Sequence, residues 1–130
     1  MPLQIKVNPS GQKQNLYEVV LNGRLDTDTS PQLEKALSEI LAKQVSAVRF
    51  DMAQLSYVSS MGIRVLLKTF KALRAKGAMF LMANLQPQIK KVIDIAQALP
   101  PETLFASIQE ADAYFDAMQR KVLEGDSGEE

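Results

Sequence analysis

The sequence predicts a single α/β domain in which a mixed β-sheet of four to five strands packs against about four helices. Segments with strand character alternate with segments whose apolar residues recur at helical spacing. The first two strand segments lie at hairpin distance, so one pair of neighbouring strands must be antiparallel. With 130 residues and no linker or internal repeat, the chain has the length of one compact domain.

An antiparallel hairpin is predicted at the start of the chain. Apolar and polar residues alternate over 3–7, as in a half-buried strand. The segment 8–15 contains Pro, Gly and polar residues and predicts a turn, after which 16–21 forms the second strand. Asn22-Gly23 is expected to close that strand.

A helix, a strand and a second helix are predicted next. Ser30-Pro31 starts the first helix, because Ser can cap free N–H groups and Pro fits the first helical position. The β-rich segment 45–52 predicts a strand, and 56–60 a polar connection. The second helix begins there and ends at Gly77, with a buried stripe formed by Ile63, Leu66, Leu67, Phe70 and Leu73.

A fourth strand and a third helix follow. The segment 78–84 is apolar on both faces, as in a strand that is covered on both sides. The segment 86–98 predicts a helix, which Pro100-Pro101 ends, and its apolar face consists of Ile89, Val92, Ile93 and Ala96.

The last elements are a short strand and a fourth helix. The strand is expected at 104–108, and the helix over 109–123 bears Ala113, Phe115, Met118 and Val122. The predicted domain is therefore 1–123. The acidic, Gly-rich segment 124–130 is expected to be a flexible tail.

The composition argues against several classes of function. The chain has no Cys and no His, so it lacks disulfides, thiolate metal ligands and the commonest general base. An enzyme is therefore not expected, and no metal or other cofactor is predicted. The formal net charge is zero, which argues against binding nucleic acid or an anionic membrane by bulk electrostatics. No apolar stretch approaches the roughly 20 residues that span a bilayer, so we expect a cytoplasmic protein.

The segment 55–67, LSYVSSMGIRVLL, is more specific than a generic α/β pattern. Its two serines lie between a strand and a helix, where unpaired N–H groups favour an anion. One interpretation is that Ser59 or Ser60 is only the N-cap of the helix. The other is functional: since the chain has no His to activate Ser60 as a nucleophile, Ser60 would accept a phosphate with the help of another protein.

Other polar and exposed residues near this segment have simpler interpretations. The basic residues are spread around the second helix and favour a solvated face over a basic patch: Arg64, Lys68, Lys71, Arg74 and Lys76. Met61 is either exposed and available to a partner or part of the core. Asp51 invites comparison with the phosphorylated Asp of response-regulator receivers. The chain lacks that family's acidic pair after the first strand, so Asp51 is expected to be a turn residue at a strand end.

Three motifs together resemble a known family. GRLDTDTSPQLEKAL is followed by a strand ending in FD and then by the serine segment with its helix. In this order they resemble a STAS domain of the anti-sigma factor antagonist type, over about residues 3–118. The resemblance implies a non-catalytic switch protein in a bacterial partner-switching pathway. Such a domain binds an anti-sigma factor, often a serine kinase of the GHKL ATPase type. The kinase phosphorylates a serine at the start of the second helix and so breaks the complex, and a serine phosphatase restores it.

The resemblance also assigns roles to individual residues. Aligned on Gly62, the family's Asp-Ser-[Ser/Thr/Ala]-Gly motif corresponds to Ser59-Ser60-Met61-Gly62. It implies Ser60 as the phosphorylation site, with Ser59 as the alternative, because Ser59 stands where an Asp often precedes the phosphoserine. The implied partner-binding residues are Asp26, Ser59, Met61, Gly62 and Arg64. A second function stays open, namely an unmodified STAS subunit of a transporter or larger signalling assembly, and the expected state is a monomer or weak homodimer.

Overall fold

The computed structural model of the chain describes residues 3–10, 13, 15–97 and 99–123. Five strands form one sheet: β1 (Gln4–Pro9), β2 (Leu16–Leu25), β3 (Ala47–Val58), β4 (Met79–Ala83) and β5 (Leu104–Phe105). Four helices are α1 (Ser30–Leu41), α2 (Ser60–Ala75), α3 (Pro87–Ala96) and α4 (Ile108–Leu123), and one turn of 3-10 helix, Pro101–Thr103, precedes β5. The predicted element order is confirmed. The predicted tail 124–130 and parts of the predicted first turn and third helix lie outside the described residues.

The sheet is mixed, as the sequence predicts. Its strands lie in chain order from β1 to β5. β1 is antiparallel to β2, and every later pair is parallel. The carboxyl ends of β2, β3, β4 and β5 therefore lie at one edge of the sheet, where loops that carry function are commonly placed.

β2 and β3 are longer than predicted, and two predictions are wrong for this reason. Asn22-Gly23 does not close β2, and residues 56–58 are strand and not connection. The two strands stay paired as far as Leu25 and Val58 because two irregularities in register absorb extra residues of β3. Gly23 has φ 122°, a conformation that favours glycine, beside one of these irregularities.

Asp51 also differs from its prediction. It lies inside β3 and not at a strand end. Its Oδ1 accepts a hydrogen bond from the N–H of Ala53 at 3.1 Å, beside the first register shift, and another from Nδ2 of Asn84 at 3.3 Å. The carboxylate of Asp51 therefore supplies a hydrogen-bond acceptor at the point where the strand pairing is irregular.

The helices cover both faces of the sheet. α1, α2 and α3 pack on one face over the main core, and α4 packs on the other over a smaller cluster. Leu81 of β4 belongs to the α4 cluster, whereas Phe80 and Met82 belong to the main core, because side chains alternate between the two faces of a strand. The prediction that this strand is covered on both sides is thus confirmed. No helix among the described residues has the length and apolar character needed to cross a membrane.

The buried helical faces differ from the predicted ones in detail. Val92, Ala96 and Ala113 are exposed, whereas α2 also buries Val65 and Thr69. The stripe predicted for α2 is buried or partly buried throughout, whereas the stripes predicted for α3 and α4 include exposed positions. Neighbouring elements decide which flanking positions of a helix are covered. The side chain of Val122 lies outside the described residues.

Candidate functional site

Ser59 forms the N-cap of α2. Its backbone is extended, with φ −91° and ψ 171°, and its Oγ accepts a hydrogen bond from the N–H of Gly62 at 3.1 Å. Its own N–H donates to the carbonyl of Leu25 at 2.8 Å, which ties the start of α2 to the end of β2. The capping interpretation therefore applies to Ser59.

Ser60 is the first residue of α2 and is exposed. Its hydroxyl has no hydrogen-bond partner among the described residues. A group that modified this oxygen would lie at the helix start, where free N–H groups and the helix dipole favour negative charge. The two adjacent serines thus differ: Ser59 caps the helix, and Ser60 presents a free hydroxyl to solvent.

Gly62 allows α2 to approach β2 closely. A Cβ on Gly62 would lie 2.7 Å from Cγ of Leu25 and 3.0 Å from its carbonyl oxygen. Both residues are buried, so neither has room to move. Glycine at this position brings the serine segment against the loop that begins at Asp26.

Asp26 organises the loop between β2 and α1. Its Oδ1 accepts hydrogen bonds from the N–H groups of Asp28 and Thr29, both at 3.0 Å, and its own N–H donates to Oγ1 of Thr29 at 2.9 Å. The hydrogen bond from the Thr29 backbone is the main cause that holds the pKa of Asp26 below its ordinary value. Ser30 does not cap α1 as predicted: it is the first helical residue, and its Oγ donates to the carbonyl of Asp26 at 2.6 Å.

Met61 and Arg64 complete the exposed part of the site, in the first turn of α2 and one turn after Ser60. Met61 is 37% exposed, so of its two interpretations the exposed one holds. Arg64 is also exposed, and among the described residues it has no ion pair. The structure therefore brings all the predicted site residues together around the starts of α1 and α2, and it buries only Gly62.

Three of the basic residues of α2 share one side of the helix. Arg64, Lys68 and Lys71 follow Ser60 at four, eight and eleven residues, spacings that fall on one face, and all three are exposed. We refer to these three as the basic stripe. The expected solvated face is confirmed, because all five basic residues of this segment are exposed, and these three of them lie on one side. α2 contains no Asp or Glu, so the only anion paired with the stripe among the described residues is Glu34 of α1, 2.6 Å from Lys68.

Sequence reasoning missed a cation–π pair beside the site. The guanidinium of Arg24 lies 4.1 Å from the ring centroid of Tyr57, and the two residues are partners in the β2–β3 register. No sequence signal could have joined them, because both were placed beyond the predicted ends of their strands.

The predicted site residues line none of five clefts found on the described part of the chain. Clefts of about 560 and 570 Å³ lie between α2 and α3 and on β1–β2, and Asp26, Ser60 and Met61 line neither of them. Within the described part of the chain, no group of three or more Asp or Glu side chains could hold a metal ion.

A protein-family model described as "STAS domain" matches residues 10–111. Two curated relatives named "Anti-sigma-B factor antagonist" are each 30% identical. The one from Staphylococcus epidermidis matches over 81 residues, 62% of this chain and 75% of the relative. The one from Bacillus subtilis matches over 84 residues, 65% of this chain and 76% of the relative.

Solved structures with the same fold include anti-sigma factor antagonists and part of an anion transporter. An anti-sigma factor antagonist from Mycobacterium paratuberculosis has a TM-score of 0.75 at 20% identity and covers 88% of this chain and 94% of its own. The Bacillus protein SpoIIAA in its phosphorylated form has a TM-score of 0.67 at 18% identity, with coverage of 90% and 98%. The murine anion transporter Slc26a9 has a TM-score of 0.70 at 15% identity over 89% of this chain, but only 22% of the transporter. At these identities, the structures show a common fold.

Proposed function

The chain belongs to the STAS domain family, and on that premise we propose that it is an anti-sigma factor antagonist that works as a phosphorylation-controlled binding module. The observation that carries this proposal is the exposed hydroxyl of Ser60, which has no hydrogen-bond partner among the described residues and lines none of the five clefts. The curated relatives named anti-sigma-B factor antagonists support the class of partner. The protein is thus a binding module and not an enzyme, and it acts in the cytoplasm of a bacterium.

Ser60 is the proposed phosphorylation site, in preference to Ser59. The Oγ of Ser59 already accepts the capping hydrogen bond from Gly62, so a phosphate there would rearrange the helix start. The Oγ of Ser60 can take a phosphate without breaking any hydrogen bond among the described residues. The partner supplies the base and the phosphoryl donor, because this chain has no His beside the hydroxyl.

The proposed switch is electrostatic. The unphosphorylated surface, comprising the Asp26 loop, Met61 and Arg64, binds an anti-sigma factor or a serine kinase of the GHKL ATPase type. A phosphate adds a charge of about −1.5 to −2 at the centre of that surface. A hundredfold loss of affinity requires only about 2.8 kcal/mol, which repulsion and desolvation of a phosphate can supply. A serine phosphatase then restores binding.

The experiment that tests this proposal is mass mapping of the protein from its native cells. The expected result is one phosphate on the peptide 55–68, located on Ser60 by fragmentation. The Ser60→Ala variant should carry none and should bind its partner constitutively, whereas Ser60→Glu should bind weakly with an unchanged fold. A phosphate on Ser59 would contradict the assignment of the residue.

A second candidate is an unmodified STAS subunit of a transporter or larger signalling assembly. The observation that favours it is the similarity of fold to part of murine Slc26a9. The same mapping separates the two candidates. Absence of phosphate from the peptide 55–68 under several growth conditions, with stable co-purification of one large assembly, would favour the second.

A further inference from the structure

Arg64 is the cation of the basic stripe that lies nearest to Ser60. The two residues are four apart in α2, so their side chains are neighbours on the helix surface, about 6 Å apart along the axis. Lys68, the next member, already pairs with Glu34. Arg64 has no such partner among the described residues, and α2 offers it no acidic side chain.

The chemistry of arginine suits a phosphate at this distance. A guanidinium presents a planar set of N–H donors that can bind two phosphate oxygens at once, and it stays charged at any physiological pH. A cation one turn from a hydroxyl, both without a partner in the described part of the chain, therefore provides a receptor for the group that the hydroxyl would carry.

We propose that Arg64 is the built-in counter-ion of a phosphate on Ser60. This inference rests on the proposed function. Phosphorylation then changes the surface twice: it adds an anion at Ser60, and it takes up Arg64, a cation with no ion pair among the described residues, so that a partner can no longer bind it. Arg64 is a positioning residue, since it holds the phosphate along the stripe and takes no part in its transfer.

Other charged groups surround the same helix start. The β2–α1 loop contributes Asp26 and Asp28, α1 contributes Glu34 in its pair with Lys68, and the strand ends contribute Arg24 and Tyr57. The two loop aspartates oppose ionisation of a nearby phosphate, and the helix N-terminus favours it. Because these groups are identical in every variant below, a comparison between variants isolates the effect of the substituted residue on the phosphate.

The test uses the full chain with phosphoserine installed at position 60 by genetic encoding, and it follows the phosphate by ³¹P NMR during a pH titration. Arg64→Gln should raise the second phosphate pKa by more than about half a unit, because one charge about 6 Å away in a solvent-like medium already gives that shift and direct contact gives more. Arg64→Lys should keep most of the original value because it keeps the charge. The matched control is Lys71→Gln, which removes the same charge about 16 Å along the helix axis. That distance exceeds the Debye length of about 8 Å at physiological salt, so no shift is expected.

Two outcomes would overturn the inference. An unchanged phosphate pKa in Arg64→Gln would show that Arg64 does not contact the phosphate. Equal pKa shifts in Arg64→Gln and Lys71→Gln would show that the shift reflects only the net charge of the protein. Because the phosphate is installed and not left to the cell, neither outcome depends on whether native cells modify Ser60. Failure of the proposed function would show separately, in the mass mapping of the native peptide.

Discussion

At the scale of single residues, the two serines at the start of α2 can be separated by their effect on stability. Ser59→Ala removes the acceptor for the N–H of Gly62 and should lower the free energy of unfolding by about 1 kcal/mol. Ser60→Ala removes no contact among the described residues and should change it by less than about 0.5 kcal/mol. Urea unfolding of both variants at pH 7 measures the difference. Equal losses would contradict the assignment of the cap to Ser59 alone.

The sequence could locate these serines but could not divide their roles. Either residue has a side chain that can cap, and the choice depends on which one keeps an extended backbone where β3 meets α2. That junction is set by the pairing of Val58 with Leu25, a contact between residues far apart in the chain. Sequence analysis therefore predicted the pair of serines and their loop, and the tertiary structure decided which hydroxyl is free.

Asp26 should make the stability of the protein depend on pH in acid. Its pKa is lowered in the native state, so its contribution is fully present above the ordinary carboxyl pKa and is lost as the pH falls through the lowered native value. Asp26→Asn retains an acceptor oxygen but does not titrate. The difference in Tm between wild type and Asp26→Asn should therefore shrink as the pH is lowered from 7 to below about 4.

The control for this measurement is Asp28→Asn in the same loop. The carboxylate of Asp28 accepts no hydrogen bond from the described residues, so this variant should follow the wild type across the titration. If the difference in Tm between wild type and Asp26→Asn stayed constant with pH, ionisation of the hydrogen-bonded Asp26 carboxylate would not be the source of that difference.

At the scale of elements, the contact of α2 with the end of β2 fixes the site, and Gly62 is its closest point. Alanine is normally the better helix former by roughly 1 kcal/mol. Here, however, the added Cβ would meet the side chain and carbonyl of the buried Leu25 at 2.7 and 3.0 Å. We expect the clash to prevail, so that Gly62→Ala loses about 1–3 kcal/mol of stability.

The matched substitution is Met61→Ala, one residue away and exposed, which should change the free energy of unfolding by less than about 0.5 kcal/mol. Amide NMR shifts of Gly62→Ala should move at both Leu25 and Ser59, which meet at this contact. A stabilised Gly62→Ala variant would mean that the helix start lies farther from β2 than the structure places it.

Element types were predictable here, but the lengths of the two central strands were not. Local turn residues such as Asn22-Gly23 indicated an end to β2. The strand continues because its neighbour β3 carries the extra residues that keep the pairing in register. Pairing across a sheet is invisible to local patterns, and the Arg24–Tyr57 pair beside the site was missed for the same reason.

At the scale of the whole molecule, α4 is the last element along the chain, and a buried arginine helps to hold it against the sheet. Arg49 of β3 forms ion pairs with Glu18 of β2, at 2.9 Å, and with Asp112 of α4, and its side chain is only 10% exposed. Burial opposes the charge, but the hydrogen bonds from Arg49 to Asp112 and Glu18 prevail and raise the pKa of Arg49. The alternation of residues around Arg49 could not reveal this role, since its two partners come from distant parts of the chain.

Removal of Arg49 should therefore lower the free energy of unfolding far more than removal of an exposed cation does. Arg49→Met keeps apolar volume but leaves two partly buried carboxylates without their cation, and we expect a loss of about 2–4 kcal/mol. Lys68→Met breaks the ion pair with Glu34, in which the lysine side chain is 73% exposed, and should lose less than about 0.5 kcal/mol. Hydrogen exchange should show the loss of protection in α4 first, because Asp112 attaches that helix to β3. Two results would mean that the apolar cluster around Phe115 holds α4 without help from Arg49. One is an equal loss of unfolding free energy in the two variants, and the other is a loss of exchange protection spread evenly over all helices.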